Sequence, residues 1–265
     1  MGFKSRGLST GRQVVYDVVN RAKQNHASLT ASFEWDVTDT VARIAADKAA
    51  GRDVGMAAFM VKAMSLAIAE HPVLNRRLFK GWFGHKLVEW DEISCNLIVE
   101  RDGGPGEPVV FPAVLRHTDQ LTVDAIHQRI RTLKQQPLEE LDAVKGHKRL
   151  ARMPRLGLWL LNWLATHRPG FFIKHFGTFN MSGMIHEGSG GLGASVLTTS
   201  TTVYPTDIRD KPLVVDGEIV VRTTMLVMFA FDHFTVDGMQ AYRASRALQR
   251  FVEDPTHVLG ESYER

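Results

Sequence analysis

The sequence is poor in the features that mark several large classes of protein. Its 265 residues include one cysteine, Cys95, which excludes an internal disulfide and a zinc site built from several cysteines. Cys95 lies in the apolar run ISCNLIV, which favours a buried core residue over a nucleophile. No run approaches the roughly 18 apolar residues of a membrane-spanning helix, and the opening stretch MGFKSRGLSTGR lacks the apolar core of a signal peptide. We therefore expect a cytoplasmic protein.

The chain also lacks a strong excess of charge of either sign. The sum of Lys and Arg is 32 and that of Asp and Glu is 29, so the net charge is +3. This excess is too small to predict a nucleic-acid partner. The eleven histidines show no spacing typical of metal ligands, so we expect no metal. There is no internal repeat or domain linker, and the length suits one α+β domain.

Hydrophobic periodicity predicts the main elements of the first half. Apolar and polar residues alternate over 28–37, which predicts a strand with one buried face. Helices are predicted over about 11–24, about 39–50 and 122–134, and a buried helix is predicted in the run MAAFMVKAMSLAIAE before Pro72. The runs HKLVEW, ISCNLIV and PVVFPAV predict strands, with a turn at DGGPGE.

The second half returns to strands before a last helix. GTFNMS, ASVLTTSTTVY and the pair LVV and IVVR predict strands, and Asp216-Gly217 between the last two predicts a hairpin. The final helix carries an apolar stripe that includes Tyr242, Leu248 and Phe251.

The segment FDHFTVDG is the most informative motif. It places His233 four residues before Asp237-Gly238, between a β-prone run and a helix-patterned run. Histidine is the side chain whose ordinary pKa lies near neutrality, so it can take up and return a proton during a reaction. A satisfied core histidine at a strand end is the alternative for His233. Asp237 can likewise be the N-cap of the last helix rather than part of a site.

Several segments together resemble the catalytic domain of the dihydrolipoamide acyltransferases of 2-oxo acid dehydrogenase complexes. They are the opening helix and strand with Lys23-Gln24, the turn of His71, Pro72 and Asn75, the segment GTFNMSG, and the stretch KPLVVDGEIVVRTTMLVMFAFDHFTVDG. The resemblance implies an α+β, chloramphenicol acetyltransferase-like two-layer sandwich, a mixed sheet with helices packed on one face. It also implies an N-terminal arm over 1–11 and an acyltransferase catalytic domain over 12–265.

The resemblance further implies roles for individual residues. His233 would be the general base and Ser182 would stabilise the oxyanion, although a serine after a strand can also be a simple turn residue. Asp237 would hold the histidine-bearing turn by pairing with Arg12, and Gly238 would leave room where the helix begins. Coenzyme A or its acyl thioester would be a substrate, the acceptor would be a small molecule or a lipoyl-type thiol, and the protein would be a homotrimer or a larger assembly with sites between chains.

The chain departs from the family pattern in three places. Phe234 replaces the arginine that usually follows the Asp-His pair, and we expect neither a lipoyl domain nor a covalently attached lipoyl group on this chain. Residues 145–177 form an atypical basic and tryptophan-rich segment. A helix that covers the trimer surface or the active-site channel is the favoured interpretation of this segment, and membrane contact through 155–166 is the alternative. Two functions beside dihydrolipoamide acyl transfer stay open: small-molecule O-acetylation and a non-catalytic trimeric scaffold.

Overall fold

A computed structural model provides the coordinates of the chain. The residues that it describes are 16, 19–20, 22–102, 108–141, 145–146, 149, 153–183, 185 and 197–260. The strands are β1 (Ser28–Asp36), β2 (Arg76–Gly81), β3 (Gly84–Glu89), β4 (Cys95–Asp102), β5 (Pro108–Leu115), β6 (Phe179–Met181), β7 (Thr201–Val215) and β8 (Glu218–Asp232). The helices are α1 (Thr38–Ala49), α2 (Met56–Glu70), α3 (Val123–Gln135), α4 (Arg155–His167), α5 (Pro169–Phe176), α6 (Gly238–Glu253) and α7 (Thr256–Leu259).

Six strands form one mixed sheet in the order β1-β8-β7-β6-β4-β5, and β2 pairs with β3 in a separate hairpin. The short strand β6 is parallel to both of its neighbours, whereas the other pairs in the large sheet are antiparallel. The expected mixed sheet is therefore confirmed. The predicted hairpin between β7 and β8 is confirmed as well, and Asp216 and Gly217 adopt positive φ angles of 51° and 86° at its turn.

A layer of helices packs against the sheet to form the core. α2 contacts α3 and α6, while α6 also contacts β1. The prediction that α2 is buried is confirmed, since most of its side chains are inaccessible. Alternate residues of β8, such as Val227 and Phe229, join the same core, and Cys95 is fully buried there, as expected. Burial raises the pKa of the Cys95 thiol, which disfavours the reactive thiolate.

Several sequence predictions are wrong or incomplete. Strand β2 was not predicted, and residues 197–200, which were expected to be strand, precede the start of β7 at Thr201. Tyr242 is exposed rather than part of the buried stripe of α6. Most of the predicted helix over 11–24 and residues 103–107 of the predicted turn lie outside the described residues.

The described residues also bear on membrane and metal binding. No helix among them combines the length and the apolar character needed to cross a membrane. Within the same part of the chain, no group of three His, Cys, Asp or Glu side chains is arranged to hold a metal ion.

Candidate active site

His233 lies on a tight turn between β8 and α6, which we name the histidine turn (residues 231–238). The N–H groups of Thr235 and Val236 both donate to the carbonyl of Asp232 at 3.0 Å. The backbone N–H of His233 donates to the carbonyl of Ala27 at 2.8 Å, which ties the turn to the residue before β1. The side chain of His233 is exposed. The expectation of a histidine at the mouth of a strand-turn-helix is therefore confirmed, and a core position is not observed.

The hydrogen bonding of His233 fixes the role of each ring nitrogen. Nδ1 lies 3.0 Å from the carbonyl oxygen of Val236. A carbonyl oxygen can only accept, so Nδ1 carries the hydrogen in the neutral ring and Nε2 carries the lone pair. Nε2 is thus the atom of this imidazole that can accept a proton.

The carboxylate of Asp232 is buried directly before His233, with 1% of the side chain exposed. Oδ1 accepts from the N–H groups of Ala27 at 3.0 Å and Phe234 at 3.1 Å. Oδ2 lies 2.6 Å from Nδ1 of His26. Burial raises the pKa of Asp232, but the hydrogen bonds from His26, Ala27 and Phe234 outweigh burial, and the pKa is lowered overall.

Sequence reasoning did not single out Asp232 or His26. One signal was present: Asp232 continues the face of β8 that carries Met228 and Ala230, so alternation alone places a carboxylate on a largely apolar face. No comparable signal pointed to His26.

Asp237 and Gly238 lie at the start of α6, and both are exposed. Asp237 is the N-cap residue and forms a capping box with Gln240, whose Oε1 accepts from the Asp237 N–H at 3.0 Å. The N-cap alternative for Asp237 is therefore observed, and the buried carboxylate of this turn is Asp232. Gly238 was expected to leave room where the helix begins. A Cβ at this position would meet no atom of the described residues within 4 Å, so contacts among these residues do not require a glycine there. Arg12 lies outside the described residues.

Ser182 follows β6, and its side chain is half-buried. Two backbone hydrogen bonds give the positions of Ser182 and His233 along β7. The N–H of Ser182 donates to the carbonyl of Val203 on β7, and the N–H of Asp232, next to His233, donates to the carbonyl of Ser200 just before β7. β6 and β8 flank β7 and run in opposite directions. At about 3.3 Å per residue, Ser182 and His233 are therefore separated by roughly 15 Å along β7, and by two strand spacings of about 4.8 Å across it. One chain does not bring the two groups onto a common reacting centre.

A groove runs beside the histidine turn toward α4. Phe234 lines a cavity of about 280 Å³ together with Leu78 and Lys80 of β2. A second cavity of about 180 Å³ shares Lys80 and Thr166 with the first and continues along Trp163. The tryptophan-rich segment thus forms one wall of the groove. His186 and Ser189, in the glycine-rich loop after Ser182, lie outside the described residues.

The outer face of α4 carries apolar side chains. Leu156, Trp159 and Leu160 are 75%, 60% and 49% exposed. Trp159 also lines the smaller cavity of the groove, whereas Leu156 and Leu160, four residues apart, lie on one side of the helix and line neither cavity. The predicted helix in this segment is confirmed, and its two sides differ: one faces the groove and the other faces outward.

The chain matches the family model described as 2-oxoacid dehydrogenases acyltransferase (catalytic domain) over residues 2–141 and 203–260. The unmatched part, 142–202, contains the atypical segment and also Ser182, so this match by itself assigns no role to the serine. Among proteins of similar sequence is a probable dihydrolipoyllysine-residue succinyltransferase component of the 2-oxoglutarate dehydrogenase complex from Schizosaccharomyces pombe. It is 25% identical over 257 residues, which cover 91% of this chain and 48% of that protein.

A second relative is the acetyltransferase component of the acetoin cleaving system of Bacillus subtilis, 23% identical over 94% of this chain and 55% of that protein. The chain spans about half the length of the curated relatives it matches. A probable dihydrolipoamide acetyltransferase from Listeria monocytogenes has the same fold, with a TM-score of 0.69 and 19% identity over 100% of this chain and 98% of that chain. The cubic core of a pyruvate dehydrogenase complex has the same fold with a TM-score of 0.71. Its sequence is 17% identical over 97% of this chain and 94% of that chain.

Proposed function

The chain belongs to the family of 2-oxoacid dehydrogenase acyltransferase catalytic domains, and from this premise we propose that it transfers an acyl group between coenzyme A and an acceptor thiol of the dihydrolipoamide type. The family match supports the reaction class. The observation that carries the proposal is the exposed imidazole of His233, whose Nδ1 donates to Val236 and whose Nε2 is left as the proton acceptor.

The proposed reaction needs one base and one oxyanion donor. Nε2 of His233 takes the proton from the attacking S–H, and the sulfur forms a bond to the thioester carbonyl carbon. The carbonyl oxygen becomes an oxyanion, to which the hydroxyl of Ser182 donates. When the intermediate collapses, the bond from carbon to the departing sulfur breaks, and the imidazolium returns its proton to that sulfur. No net proton is gained or lost.

We infer that each reacting centre is shared between two copies of the chain. Ser182 and His233 leave the sheet at opposite ends of antiparallel strands, so the distance within one chain is too large for a common thioester. A cyclic homo-oligomer solves this problem, because the histidine turn of each protomer can face Ser182 of the next. A homotrimer, alone or within a larger assembly, is the arrangement we propose.

The groove beside Phe234 supports a route for one substrate to His233. Its mixed lining of Leu78, Trp163 and Lys80 suits an apolar chain with a polar or anionic end, the character of both an acyl chain and a pantetheine arm. Since Phe234 stands where the family usually has arginine, we propose that this chain contacts its substrate at that position through apolar packing.

A substrate survey tests the function. Purified protein is assayed with acetyl-, succinyl- and branched-chain acyl-coenzyme A against dihydrolipoamide, and in parallel against small alcohols. Transfer to dihydrolipoamide with at least one thioester is expected. Transfer to hydroxyl acceptors alone would favour small-molecule O-acetylation. The absence of transfer to every acceptor, with the oligomer intact, would favour the non-catalytic scaffold and contradict the proposal.

A further inference from the structure

Three side chains from distant parts of the sequence form a buried chain of hydrogen bonds behind the histidine turn. His26 lies just before β1, and its side chain is 3% exposed. Nδ1 of His26 lies 2.6 Å from Asp232, and Nε2 lies 3.0 Å from the Nη1 atom of Arg77 on β2. Arg77 is itself buried, and it also donates to the carbonyl of Thr198 at 3.0 Å.

The direction of each bond follows from the chemistry of the partners. A guanidinium group only donates hydrogen bonds, so Nε2 of His26 is the acceptor and carries no hydrogen. Nδ1 then carries the hydrogen and donates to the carboxylate of Asp232. The ring is neutral, and it connects a buried cation to a buried anion. Burial and Arg77 lower the pKa of His26 and the bond to Asp232 raises it; the pKa is lowered overall, which is in keeping with this state.

Arg77 is held in this position from its other side. Its Cζ atom lies 4.0 Å from the ring centroid of Phe172 on α5, and 5.7 Å from that of Phe79. Such cation–π contacts attract the guanidinium and favour the position that it occupies beside His26. The acceptor Nε2 of His26 therefore meets a donor that cannot easily move away.

The carboxylate at the end of this chain of bonds determines the shape of the histidine turn. Asp232 accepts from the N–H groups of Ala27 and Phe234. Phe234 follows His233 in the sequence, and Ala27 lies beside His233 in space. The N–H of His233 is bound to the carbonyl of Ala27. If the carboxylate rotates or becomes unpaired, the backbone on both sides of His233 loses its anchor.

We propose that His26 is a positioning residue for His233, acting through the carboxylate of Asp232. This inference rests on the proposed acyl transfer and goes beyond it, because His26 is buried and is not among the residues that line the groove. Its loss lowers kcat and leaves substrate affinity nearly unchanged. A misplaced base reduces turnover, whereas Arg77, which lines the groove, is still held by the carbonyl of Thr198 and the ring of Phe172, so the groove keeps its shape.

The test compares two substitutions at one position. His26→Asn places an amide N–H where Nδ1 donates, so it keeps the bond to Asp232. His26→Ala removes it. We expect His26→Ala to lower kcat at least about tenfold and to keep KM for acyl-coenzyme A within about threefold of the wild-type value. For His26→Asn, both kcat and KM should stay within about threefold of wild type. The surface substitution His257→Ala is the matched control. A folded His26→Ala variant with kcat within about twofold of wild type would overturn the proposal.

Asp232→Asn tests the same bond from its other end if His26→Ala does not fold. The substitution keeps the shape of the side chain and replaces one acceptor oxygen by an amide nitrogen. Arg77 keeps the hydrogen of His26 on Nδ1, so a donor would then face a donor. We expect a loss in kcat of at least about tenfold, since the turn again loses its anchor. An unchanged kcat in this variant contradicts the role of the bond.

A readout without turnover separates this inference from the proposed function. Diethyl pyrocarbonate modifies exposed imidazoles, and peptide mass spectrometry follows the rate at His233. The rate should change at least about threefold in His26→Ala but not in His26→Asn or His257→Ala, because only the first loses the anchor. An unchanged rate would overturn the positioning role. An inactive wild-type protein would contradict the function alone.

Discussion

Nδ1 of His26 lies 2.6 Å from Oδ2 of Asp232, so the residue that precedes His233 is bonded to a side chain 206 positions earlier in the sequence. This bond joins the entry of β1 to the exit of β8, which are adjacent antiparallel strands. Both side chains are buried, and both carry pKa values below their ordinary range. The geometry of the candidate base therefore depends on a contact that also makes stability depend on pH.

Stability should fall as the pH falls below about 6.5, the ordinary pKa of histidine. Unfolded His26 takes up a proton near that pH, whereas the folded protein takes it up at a lower pH, because burial and Arg77 lower the pKa of His26 by more than Asp232 raises it. The unfolded state then binds more protons, and the free energy of unfolding decreases with decreasing pH. The lowered pKa of Asp232 acts in the same direction, but only below about 3.8.

Urea unfolding between pH 7 and pH 5 measures this effect. Other histidines with lowered pKa, such as His127 and His175, contribute to the total slope. The difference between wild type and His26→Asn isolates one residue, since asparagine does not titrate. We expect the wild-type slope to be steeper by up to about 1.4 kcal/mol per pH unit. Equal slopes in the two proteins would show that His26 titrates alike in both states.

Replacement of His233 should remove most of the activity. Both His233→Ala and His233→Gln lack the imidazole nitrogen that accepts the proton of the attacking thiol, so we expect kcat to fall at least about a hundredfold. KM for acyl-coenzyme A should change little, because the ring acts on the attacking proton. Steady-state kinetics with dihydrolipoamide measures both values, and His257→Ala is the control. A loss smaller than about tenfold would exclude His233 as the base.

Substitution of Asp237 separates its two candidate roles. As N-cap of α6, the side chain contributes about 1 kcal/mol to stability, which Asp237→Ala should lose and Asp237→Asn should keep. Urea unfolding of both variants measures this difference. If the carboxylate also pairs with a cation such as Arg12, the asparagine variant should keep its stability but lose turnover. Unchanged stability in Asp237→Ala would contradict the capping role.

The outward face of α4 should not bind membranes. Leu156 and Leu160 form a small apolar face on a helix of 13 residues, which is too little apolar area for stable insertion at a lipid surface. We expect no cosedimentation with vesicles of mixed neutral and anionic lipids at physiological salt. The double variant Leu156→Ser, Leu160→Ser serves as the control. Binding by the wild type that this variant loses would show that the face contacts lipid.

Much of the fold can be predicted because it depends on local patterns. The alternation before Asp36 predicts β1, the apolar run that ends at Pro72 predicts α2, and Asp216-Gly217 predicts the long hairpin. Each signal arises from a period or a turn within a few residues. Strand β2 escaped prediction because its residues RRLFKG include three cations, and nothing local indicates that Arg77 is buried.

The candidate site could be predicted only in part, because some of its contacts are local in the sequence and others are not. The spacing of His233 and Asp237 is visible in the sequence, and so is the helix cap that Asp237 provides. The partners of Asp232 are not visible, because His26 and Arg77 reach it through tertiary contacts with no fixed spacing. The predicted start of β7 was also too early, since residues 197–200 are β-prone in composition but lie in the bend that precedes β7.

The shared site is the central claim, and mixed oligomers test it most directly. His233→Ala and Ser182→Ala are each expected to retain roughly 1% of wild-type activity or less. The two variants are denatured, mixed in equal amounts and refolded together. If each centre takes His233 from one protomer and Ser182 from the next, random mixing in a closed ring restores about a quarter of the centres. Activity near 25% of wild type is the predicted result. Activity that stays at the average of the two variants, in oligomers shown to be mixed, would contradict the account.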